Sequence, residues 1–461
     1  MGFRSSSVSG GGITGFFGDR AFARSLMHIA LPVTLQSMLR ASFSIIDQVM
    51  IGQLGSASIS GIGLGGKFAS IHNVVLSAVT AAGAILISQY LGQGSRKNAA
   101  RSYSVNLLVS LAIAAVFTLV STRFAAPILG LYTQDDATRA LGQTYLQTYA
   151  WSFFPAALSG MAETLLCCME AAVFPLIASM TSLCINTGLN YLLIFGHGGL
   201  PALGVQGAAV ASVAAQVVSC LLVYLFLAVR LRKKQWRLRF TLGFTRPELL
   251  TYAKILLPLL ASEFLWSLGQ NVESAVYGHL GMANLAAYTL TCPIQGLIVG
   301  ALSGLSAAAG VMVGKRLGRK EYDEAYTESK KIMYAGLIGA AAVSILLILL
   351  AGVYTGLYRV DDSVKELGKI LLIVFALYAP VKVENMILGG GIIRSGGNTK
   401  MIMMIDIVGT WCIGIPLCLL AAYVFNWGIV GVYTLLTTEE LFRLAVSLIV
   451  FKRRKWIISL C

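Results

Sequence analysis

Long apolar runs alternate with short polar segments along the whole chain. Each run is about 20 residues or longer, which is the length a helix needs to cross the hydrocarbon core of a bilayer. The polar segments between the runs are too short to fold as separate soluble domains. The pattern therefore predicts about twelve membrane-spanning helices, at 26–50, 62–90, 103–122, 146–169, 174–196, 204–229, 251–277, 285–314, 332–354, 368–391, 401–424 and 428–450.

The composition places the chain in the same class. Hydrophobic residues make up 57% of the chain and charged residues only 12%, whereas soluble proteins carry about 25% charged residues. A shortfall of this size is expected when lipid, rather than water, surrounds the folded chain. We therefore expect an all-α polytopic membrane protein in contact with the lipid bilayer.

An internal repeat divides the predicted helices into two sets of six. When the sequence is shifted by 226 residues, Pro32 aligns with Pro258 and the acidic Asp47 aligns with Glu273. Proline and glycine fix kinks and turns, so their recurrence at one register carries more weight than matching leucines. The aligned glycines are Gly52 with Gly278 and Gly55 with Gly281. Because six is even, both sets have the same orientation, which predicts two lobes with pseudo-two-fold symmetry along the membrane normal and a cavity between them.

The repeat and the charges together predict how the chain is divided. We expect a cytoplasmic segment at 1–25, an N-lobe at 26–229, a basic linker at 230–250, a C-lobe at 251–450 and a basic tail at 451–461. The net charge of +15 comes mainly from the side that holds the linker and the tail. This positive-inside bias places both termini in the cytoplasm and predicts a multi-pass plasma-membrane protein, of the bacterial inner-membrane type. The basic excess then reflects topology and contact with anionic lipid, rather than a nucleic-acid partner.

Several ionisable residues lie inside the predicted spans, where each costs about 2.5–3.5 kcal/mol on insertion scales. Asp47 lies in the first span without a basic residue three or four positions away, and Asn186 and Asn190 share a face of the fifth span. A carboxylate with two amides would form a small site for a proton or for Na⁺, although the asparagines could instead bridge helices. Glu263, near the middle of the seventh span, is a further candidate for the cation. It could instead be a protonated or helix-paired glutamate.

Other polar residues of the spans are weaker candidates for a substrate cavity. They are Arg40, Glu273, Glu384, Asp406 and Trp411. Arg40 is expected either to neutralise an acidic group on another helix or to face a wet cavity. Glu439 and Arg443 are four residues apart, so we predict that they pair on one helix face.

Motifs for catalysis are weak in this sequence. The glycine-rich segment 61–66 lacks the preceding strand and the following acidic residue of a dinucleotide site, and 396–400 lacks the ending of a P-loop. The four histidines are scattered without metal-ligand spacing. We therefore expect no enzymatic activity, no cofactor and no metal beyond a coupling Na⁺ at Asp47 or Glu263.

The chain resembles the multidrug and toxic compound extrusion (MATE) family over nearly its whole length. The segments that carry the resemblance are 32–55, 186–190 with 204–209, and 391–399. The resemblance implies efflux of drugs or metabolites coupled to inward movement of H⁺ or Na⁺, with Asp47 as the N-lobe coupling carboxylate and Asn186 as its partner amide. Some proton-coupled members carry an aspartate where this chain has Asn190. Another branch keeps a cation-binding glutamate in the helix that holds Glu263, and Asp406 is a weaker candidate for that role.

These observations predict a secondary active antiporter that works by alternating access. The charges inside the spans are mostly acidic, which favours small organic substrates that are cationic or neutral and amphipathic. We expect H⁺ or Na⁺ as the coupling ion and a monomer as the functional unit. A flippase for a lipid-linked saccharide would share the architecture, but an anionic headgroup calls for several basic residues in the cavity. A lipid-modifying membrane enzyme is a second alternative, but it would need a nucleophile–base pair or a metal cluster, and the scattered histidines argue against it. A passive channel is a third alternative, which flux independent of an ion gradient would favour.

Overall fold

A computed structural model describes the chain at residues 20–199, 201–241, 245–358 and 360–460. Within these ranges every regular element is a helix, which confirms the predicted all-α class. Each of the five predicted segments has residues outside the described ranges. They are 1–19 of the N-terminal segment, 200 of the N-lobe, 242–244 of the linker, 359 of the C-lobe and 461 of the tail.

The helices of the first half follow the predicted spans. They are Arg20–Gly52, Ser56–Gly92, Arg96–Arg123, Asp136–Tyr149 continued by Ala150–Ser152 and Phe153–Cys168, Val173–Phe195, and Gly204–Lys233. A short helix, Ala125–Gly130, lies between the third and fourth spans. Most of these helices run beyond the predicted bounds, because the apolar pattern detects only the part of a helix that meets hydrocarbon, whereas the fifth agrees with its prediction to within one residue.

The second half contains the remaining spans. They are Arg246–His279, Met282–Gly318, Tyr322–Gly356, Asp362–Asn385 continued by the π-helical Met386–Ile393, Thr399–Ile407 continued by Val408–Gly414, Ile415–Leu419 and Leu420–Val424, and Ile429–Lys452. Ten of the described helices are long and apolar enough to cross a membrane. The two other spans are the fourth, which a 3₁₀ turn interrupts, and the twelfth, where Glu439, Glu440 and Arg443 lower the hydropathy.

The repeat is visible in the backbone as well as in the sequence. The two aligned prolines both lie inside a long helix. Gly55, with φ 92°, and Gly281, with φ 114°, precede the second and eighth helices in conformations that favour glycine. Gly94 and Lys320 also share the register and both have positive φ, 81° and 62°. The same turns therefore recur at the same distance from each proline.

The two sets of six spans form lobes that meet mainly through the first and second spans of one and the seventh and eighth of the other. We call "terminal face" the end of the molecule where the described chain begins and ends, and "far face" the opposite end. Within the described residues, the hydrogen bonds between the lobes lie in the terminal half. There a Cβ on Gly304 would lie 2.1 Å from the carbonyl oxygen of Ala30, and a Cβ on Gly318 2.0 Å from that of Gln89. Glycine at these positions lets the backbones of the two lobes touch, so the terminal face is closed.

An ion pair adds to this closure. Lys315 Nζ of the eighth span lies 2.6 Å from Glu170 Oε1, in the turn after the fourth span. Burial by itself would raise the pKa of Glu170, but the hydrogen-bonded ammonium of Lys315, together with the charges of Lys234 and Arg319, outweighs burial, and the pKa lies below its ordinary value. The contribution of this pair is therefore present at neutral pH and is lost as the pH falls through that lowered pKa.

The C-terminal tail lies across the closed face and joins both lobes through Gln89 of the second span. The Gln89 side chain is completely buried. Its Nε2 donates to the carbonyl oxygen of Ser395 at 2.7 Å, and its Oε1 accepts from the backbone nitrogen of Leu460 at 2.8 Å. Trp456 of the tail is also completely buried. It packs against the glycine-rich turn at 394–397, between the tenth and eleventh spans, where a Cβ on Gly396 would lie 1.9 Å from the carbonyl oxygen of Trp456.

Replacing Gln89 by alanine should weaken the closed terminal face. The change leaves the buried Ser395 carbonyl and Leu460 amide without their partner, at about 1–3 kcal/mol for each unpaired group. We expect spin labels at the exposed Lys97 and Lys320, one in each lobe, to show a longer and broader distance distribution. Gln93→Ala is the matched control, because Gln93 is exposed and caps the end of the helix that contains Gln89. An unchanged distribution in Gln89→Ala would show that the tail does not hold the lobes together.

Candidate functional site

A cavity of about 1180 Å³ lies between the lobes. Its wall comes mainly from the first, second, fourth, fifth and sixth spans, and the eighth and tenth spans complete it from the C-lobe. The charged residues of the lining are Arg40, Asp47, Glu163 and Arg394. The volume suits a drug-sized molecule. Because the lobes close at the terminal face, the cavity is reached from the far face.

Asp47 lines the cavity and contacts two buried asparagines of the fifth span, which lie outside the lining. Asn190 Nδ2 donates to Asp47 Oδ1 at 3.0 Å and to Asn186 Oδ1 at 3.3 Å. When the Asn186 amide is turned over, its nitrogen lies 3.2 Å from both carboxylate oxygens of Asp47. The hydrogen-bond network decides that orientation, since oxygen and nitrogen of an amide look alike. Either orientation places two amides against one carboxylate.

This N-lobe site has the donors and acceptors that a proton or a small hard cation requires. Asn186 and Asn190 are buried, Asp47 is half-buried, and Asn190 Oδ1 has no hydrogen-bond partner among the described residues. No ion pair to Asp47 occurs in the described part of the chain. The carboxylate therefore depends on amide groups for its stabilisation, and a proton or Na⁺ would neutralise it.

Arg40 lies on the same helix, seven residues before Asp47, and belongs to a second polar group. Its Nη2 lies 3.6 Å from Glu163 Oε2 and 3.5 Å from Ser179 Oγ. Gln36 Nε2 donates to Ser179 Oγ at 2.6 Å and to Glu163 Oε2 at 3.3 Å. Arg40 thus neutralises an acidic group on another helix and also faces the cavity, so both of its predicted roles apply.

Glu263 lies away from Asp47. Its Oε1 is 3.5 Å from Arg394 Nη2, at the end of the tenth span, so Glu263 is a helix-paired glutamate. Arg394 lines the cavity and Glu263 does not. The structure therefore brings Asp47, Asn186 and Asn190 into one site and places Glu263 in a separate ion pair.

The remaining candidates lie within the C-lobe, outside the lining of the central cavity. Glu273 and Glu384 are buried, Asp406 accepts a hydrogen bond from Ser262, and Trp411 Nε1 donates to the carbonyl oxygen of Leu265 at 3.2 Å. Glu273, Glu384, Asp406 and Trp411 do not line the cavity. The physical reason is that the seventh, tenth, eleventh and twelfth spans pack around them. Of the five weaker candidates, the cavity contains Arg40.

The charged residues packed among the spans of the C-lobe form a group that we call the C-lobe cluster, and ion pairs within and between helices hold it. Its members are Glu273, Lys382, Glu384, Asp406, Glu439, Glu440 and Arg443. Arg443 Nη2 lies 3.2 Å from Glu439 Oε1, which confirms the predicted pair, and it donates to Thr410. Lys382 Nζ lies 3.9 Å from Glu440 Oε1. Gly414, at the end of the π-helical segment of the eleventh span, makes room for Glu439, because a Cβ at this position would lie 2.0 Å from Glu439 Oε2.

Sequence reasoning missed three residues of functional interest. Gln36 precedes Arg40 by four residues on one helix face, so its position alone could have indicated it. Arg394 appeared only as part of the glycine-rich turn, because its partner Glu263 lies far away in sequence. Gln89 gave no signal, since a single glutamine near a helix end is usually solvated.

Comparison with known proteins gives a match over most of the chain. The MatE family model matches twice, at residues 32–192 and 258–420. The two matches begin at Pro32 and Pro258, the same pair that the internal repeat aligns.

Similar proteins of known sequence cover nearly the full length. The chain is 24% identical to the "Uncharacterized transporter YisQ" of Bacillus subtilis (strain 168), over 95% of this chain and 96% of that protein. It is 25% identical to the "Probable multidrug resistance protein NorM" of Agrobacterium fabrum, over 89% of each.

Solved structures share the fold. A mutant of the Vibrio cholerae MATE transporter VcmN superimposes with a TM-score of 0.86 at 17% identity, over 95% of this chain and 98% of that one. A MOP superfamily transporter from Pyrococcus furiosus gives a TM-score of 0.85 at 16% identity, over 95% and 96%. At these identities the likeness establishes the two-lobe fold alone.

Proposed function

Because the chain belongs to the MatE family, we propose that this membrane transporter is a secondary active antiporter, which exports small organic compounds in exchange for H⁺ or Na⁺. The observation that carries the proposal is the Asp47 carboxylate at the wall of the cavity, held by Asn190 at 3.0 Å. A carboxylate inside a membrane protein is costly. One that borders a drug-sized cavity and relies on amides for its stabilisation is suited to bind and release a cation.

The proposed cycle uses the two lobes as alternating gates. A cation that enters from the far face neutralises Asp47 and favours the state from which substrate leaves. Release of the cation on the opposite side returns the lobes to the state that binds substrate. Such coupling requires that cation and substrate have different affinities for the two states. The terminal face is cytoplasmic in this proposal, in agreement with the positive-inside bias, and the structure then represents the outward-facing state of a plasma-membrane monomer.

The lining of the cavity bears on the substrate class. Most acidic residues of the spans belong to the C-lobe cluster and do not reach the cavity, whose lining holds two arginines and two acidic residues. The lining therefore has no net formal charge, which favours neutral amphipathic compounds alongside cations. The relatives named as probable multidrug resistance proteins support small organic substrates in general.

A flippase for a lipid-linked saccharide is a second candidate with the same architecture. It would need a cavity with an excess of basic residues for an anionic headgroup, whereas the two arginines of the lining are balanced by Asp47 and Glu163. The cavity therefore favours the antiporter.

Proteoliposomes test the proposal directly. With ethidium as substrate, an imposed H⁺ or Na⁺ gradient should drive uphill ethidium movement, and ethidium should in turn drive movement of the coupling ion. Ethidium flux that does not depend on either ion gradient would contradict the antiporter and indicate a passive channel.

Replacing Asn190 by leucine should weaken binding of the coupling ion without removing the carboxylate. Leucine has a similar volume but cannot donate to Asp47, and a hydrogen bond to a charged group contributes about 1.5–3 kcal/mol. We expect the ion concentration for half-maximal transport to rise about tenfold or more. Asn271→Leu is the control, because Asn271 bonds only the Ser267 carbonyl of its own helix in the described chain. If the ion concentration for half-maximal transport is the same in Asn190→Leu and Asn271→Leu, Asn190 does not contribute to binding of the coupling ion.

A further inference from the structure

We propose that the cavity selects zwitterionic amphipathic substrates, and that Arg40 binds their acidic group. This inference rests on the proposed function, because it concerns the same cavity. It names a substrate class and a specificity residue that the coupling site at Asp47 does not require.

The guanidinium of Arg40 is available to a ligand. Its side chain is 58% exposed although it lies in a membrane span, and it lines the cavity. Seven residues separate it from Asp47, which is about 10 Å along one face of a helix. A ligand bound at Arg40 therefore leaves the N-lobe cation site free.

Most of the hydrogen-bonding capacity of this guanidinium is unused within the part of the chain that the structure describes. Its contacts with Glu163 at 3.6 Å and Ser179 at 3.5 Å are both made through Nη2. An arginine carries five N–H donors in a planar fork that fits a carboxylate in a bidentate manner. The end-on edge of the fork, formed by Nη1 and one hydrogen of Nη2, can therefore bind a carboxylate or sulfonate, while the other hydrogen of Nη2 keeps the contact with Glu163.

The other basic side chains of the cavity wall and of the C-lobe cluster are less accessible than Arg40. Arg394 is the second arginine of the lining, but its side chain is only 17% exposed and is paired with Glu263. Lys382 and Arg443 belong to the C-lobe cluster, outside the lining. An acidic group that enters the cavity therefore meets Arg40 as the most exposed cation of its wall.

The charge balance of the lining defines the rest of the ligand. Arg40 and Arg394 are balanced by Asp47 and Glu163, so a simple anion would add an uncompensated negative charge inside the membrane. A compound that carries both an acid and a basic amine adds no net charge. Apolar and aromatic wall residues supply contact area for its body. They include Val33, Leu76, Tyr149 and Phe153.

A matched pair of dyes tests this inference. Rhodamine 110 carries a free carboxylate and a delocalised cation, and rhodamine 123 is its methyl ester, without the negative charge. Fluorescence polarisation with the purified protein gives the dissociation constant of each dye. We expect the acid to bind about tenfold more tightly than the ester in the wild type, since a charge-assisted bidentate contact is worth about that factor or more.

Variants assign the preference to Arg40. The ratio of the two dissociation constants should fall to about one in Arg40→Gln and stay intermediate in Arg40→Lys, which keeps the charge but not the fork. Arg40→Gln combined with Glu163→Gln should give the same ratio, which excludes an effect of an unpaired glutamate. Arg453→Gln, at an exposed position of the terminal face, should keep the wild-type ratio.

Three results would overturn the inference. The first is that rhodamine 110 does not bind the wild-type protein. The second is that the wild type binds rhodamine 110 and rhodamine 123 with equal affinity. The third is that the preference for rhodamine 110 remains in Arg40→Gln. The binding ratio does not depend on an ion gradient. Loss of ion-driven ethidium transport would therefore contradict the proposed function without changing this ratio, so the two failures can be told apart.

Discussion

Replacing Asp47 by asparagine should abolish ion-driven uphill efflux while the protein remains folded and inserted. The side chain keeps its size and can still pair with the amide of Asn190, which lies 3.0 Å away in the wild type. It can no longer take up a proton or offer a charge to Na⁺, so the cation loses its preference for one state of the lobes. Without that difference in affinity, a gradient cannot move substrate uphill.

Vesicles that carry Asp47→Asn should show substrate movement only toward equilibrium, with uphill rates reduced to the background of empty vesicles. Asp136→Asn is the matched control, because Asp136 is 85% exposed and pairs with Arg139 on the far face. We expect this variant to transport at the wild-type rate. Wild-type uphill transport by Asp47→Asn would contradict the assignment of the coupling carboxylate.

The second large effect concerns stability. Replacing Arg443 by methionine should lower the free energy of unfolding by about 3–5 kcal/mol, the cost of leaving a buried charge without its partner. Arg443 and Glu439 are both buried, with side chains 10% and 9% exposed. Thermal unfolding of the purified protein, followed by fluorescence-detected size exclusion, measures the change. Glu439→Leu combined with Arg443→Met should recover most of the loss, because no unpaired charge remains at that pair.

An exposed pair of similar spacing provides the comparison. Arg139 and Asp136 are three residues apart on one helix, with side chains 40% and 85% exposed. Arg139→Met should change the free energy of unfolding by less than about 1 kcal/mol, because water screens an exposed pair. A loss in Arg443→Met as small as that in Arg139→Met would show that the C-lobe cluster does not stabilise the fold.

The spacing of residues along the sequence predicted part of the N-lobe site. Asn186 and Asn190 are four residues apart, so they must share a helix face, and the cost of Asp47 inside a span requires polar neighbours. The structure brings these three residues together. Spacing could not reveal the Arg40 ion pair with Glu163 or the bond from Gln36 to Ser179, because those partners lie on other helices.

The C-lobe shows where spacing fails. Glu263 and Asp47 both look like lone carboxylates in the sequence, but Arg394, 131 residues further along the chain, pairs with Glu263. Glu273, Glu384 and Asp406 look like cavity residues because each is ionisable inside a span. The structure packs them within the C-lobe, and the π-helical segments of the tenth and eleventh spans were equally invisible in the apolar pattern.

The sequence by itself determined the all-α class, the approximate positions of the spans and the duplication that aligns Pro32 with Pro258. These features depend on local properties, since a bilayer selects apolar runs of a fixed length and proline and glycine constrain the backbone wherever they occur. Only the tertiary structure decided which charges face the cavity, which pair with one another and which face of the molecule is closed. Those outcomes depend on how separate helices are rotated and packed, and in a span that is apolar on most sides the sequence carries little information about rotation.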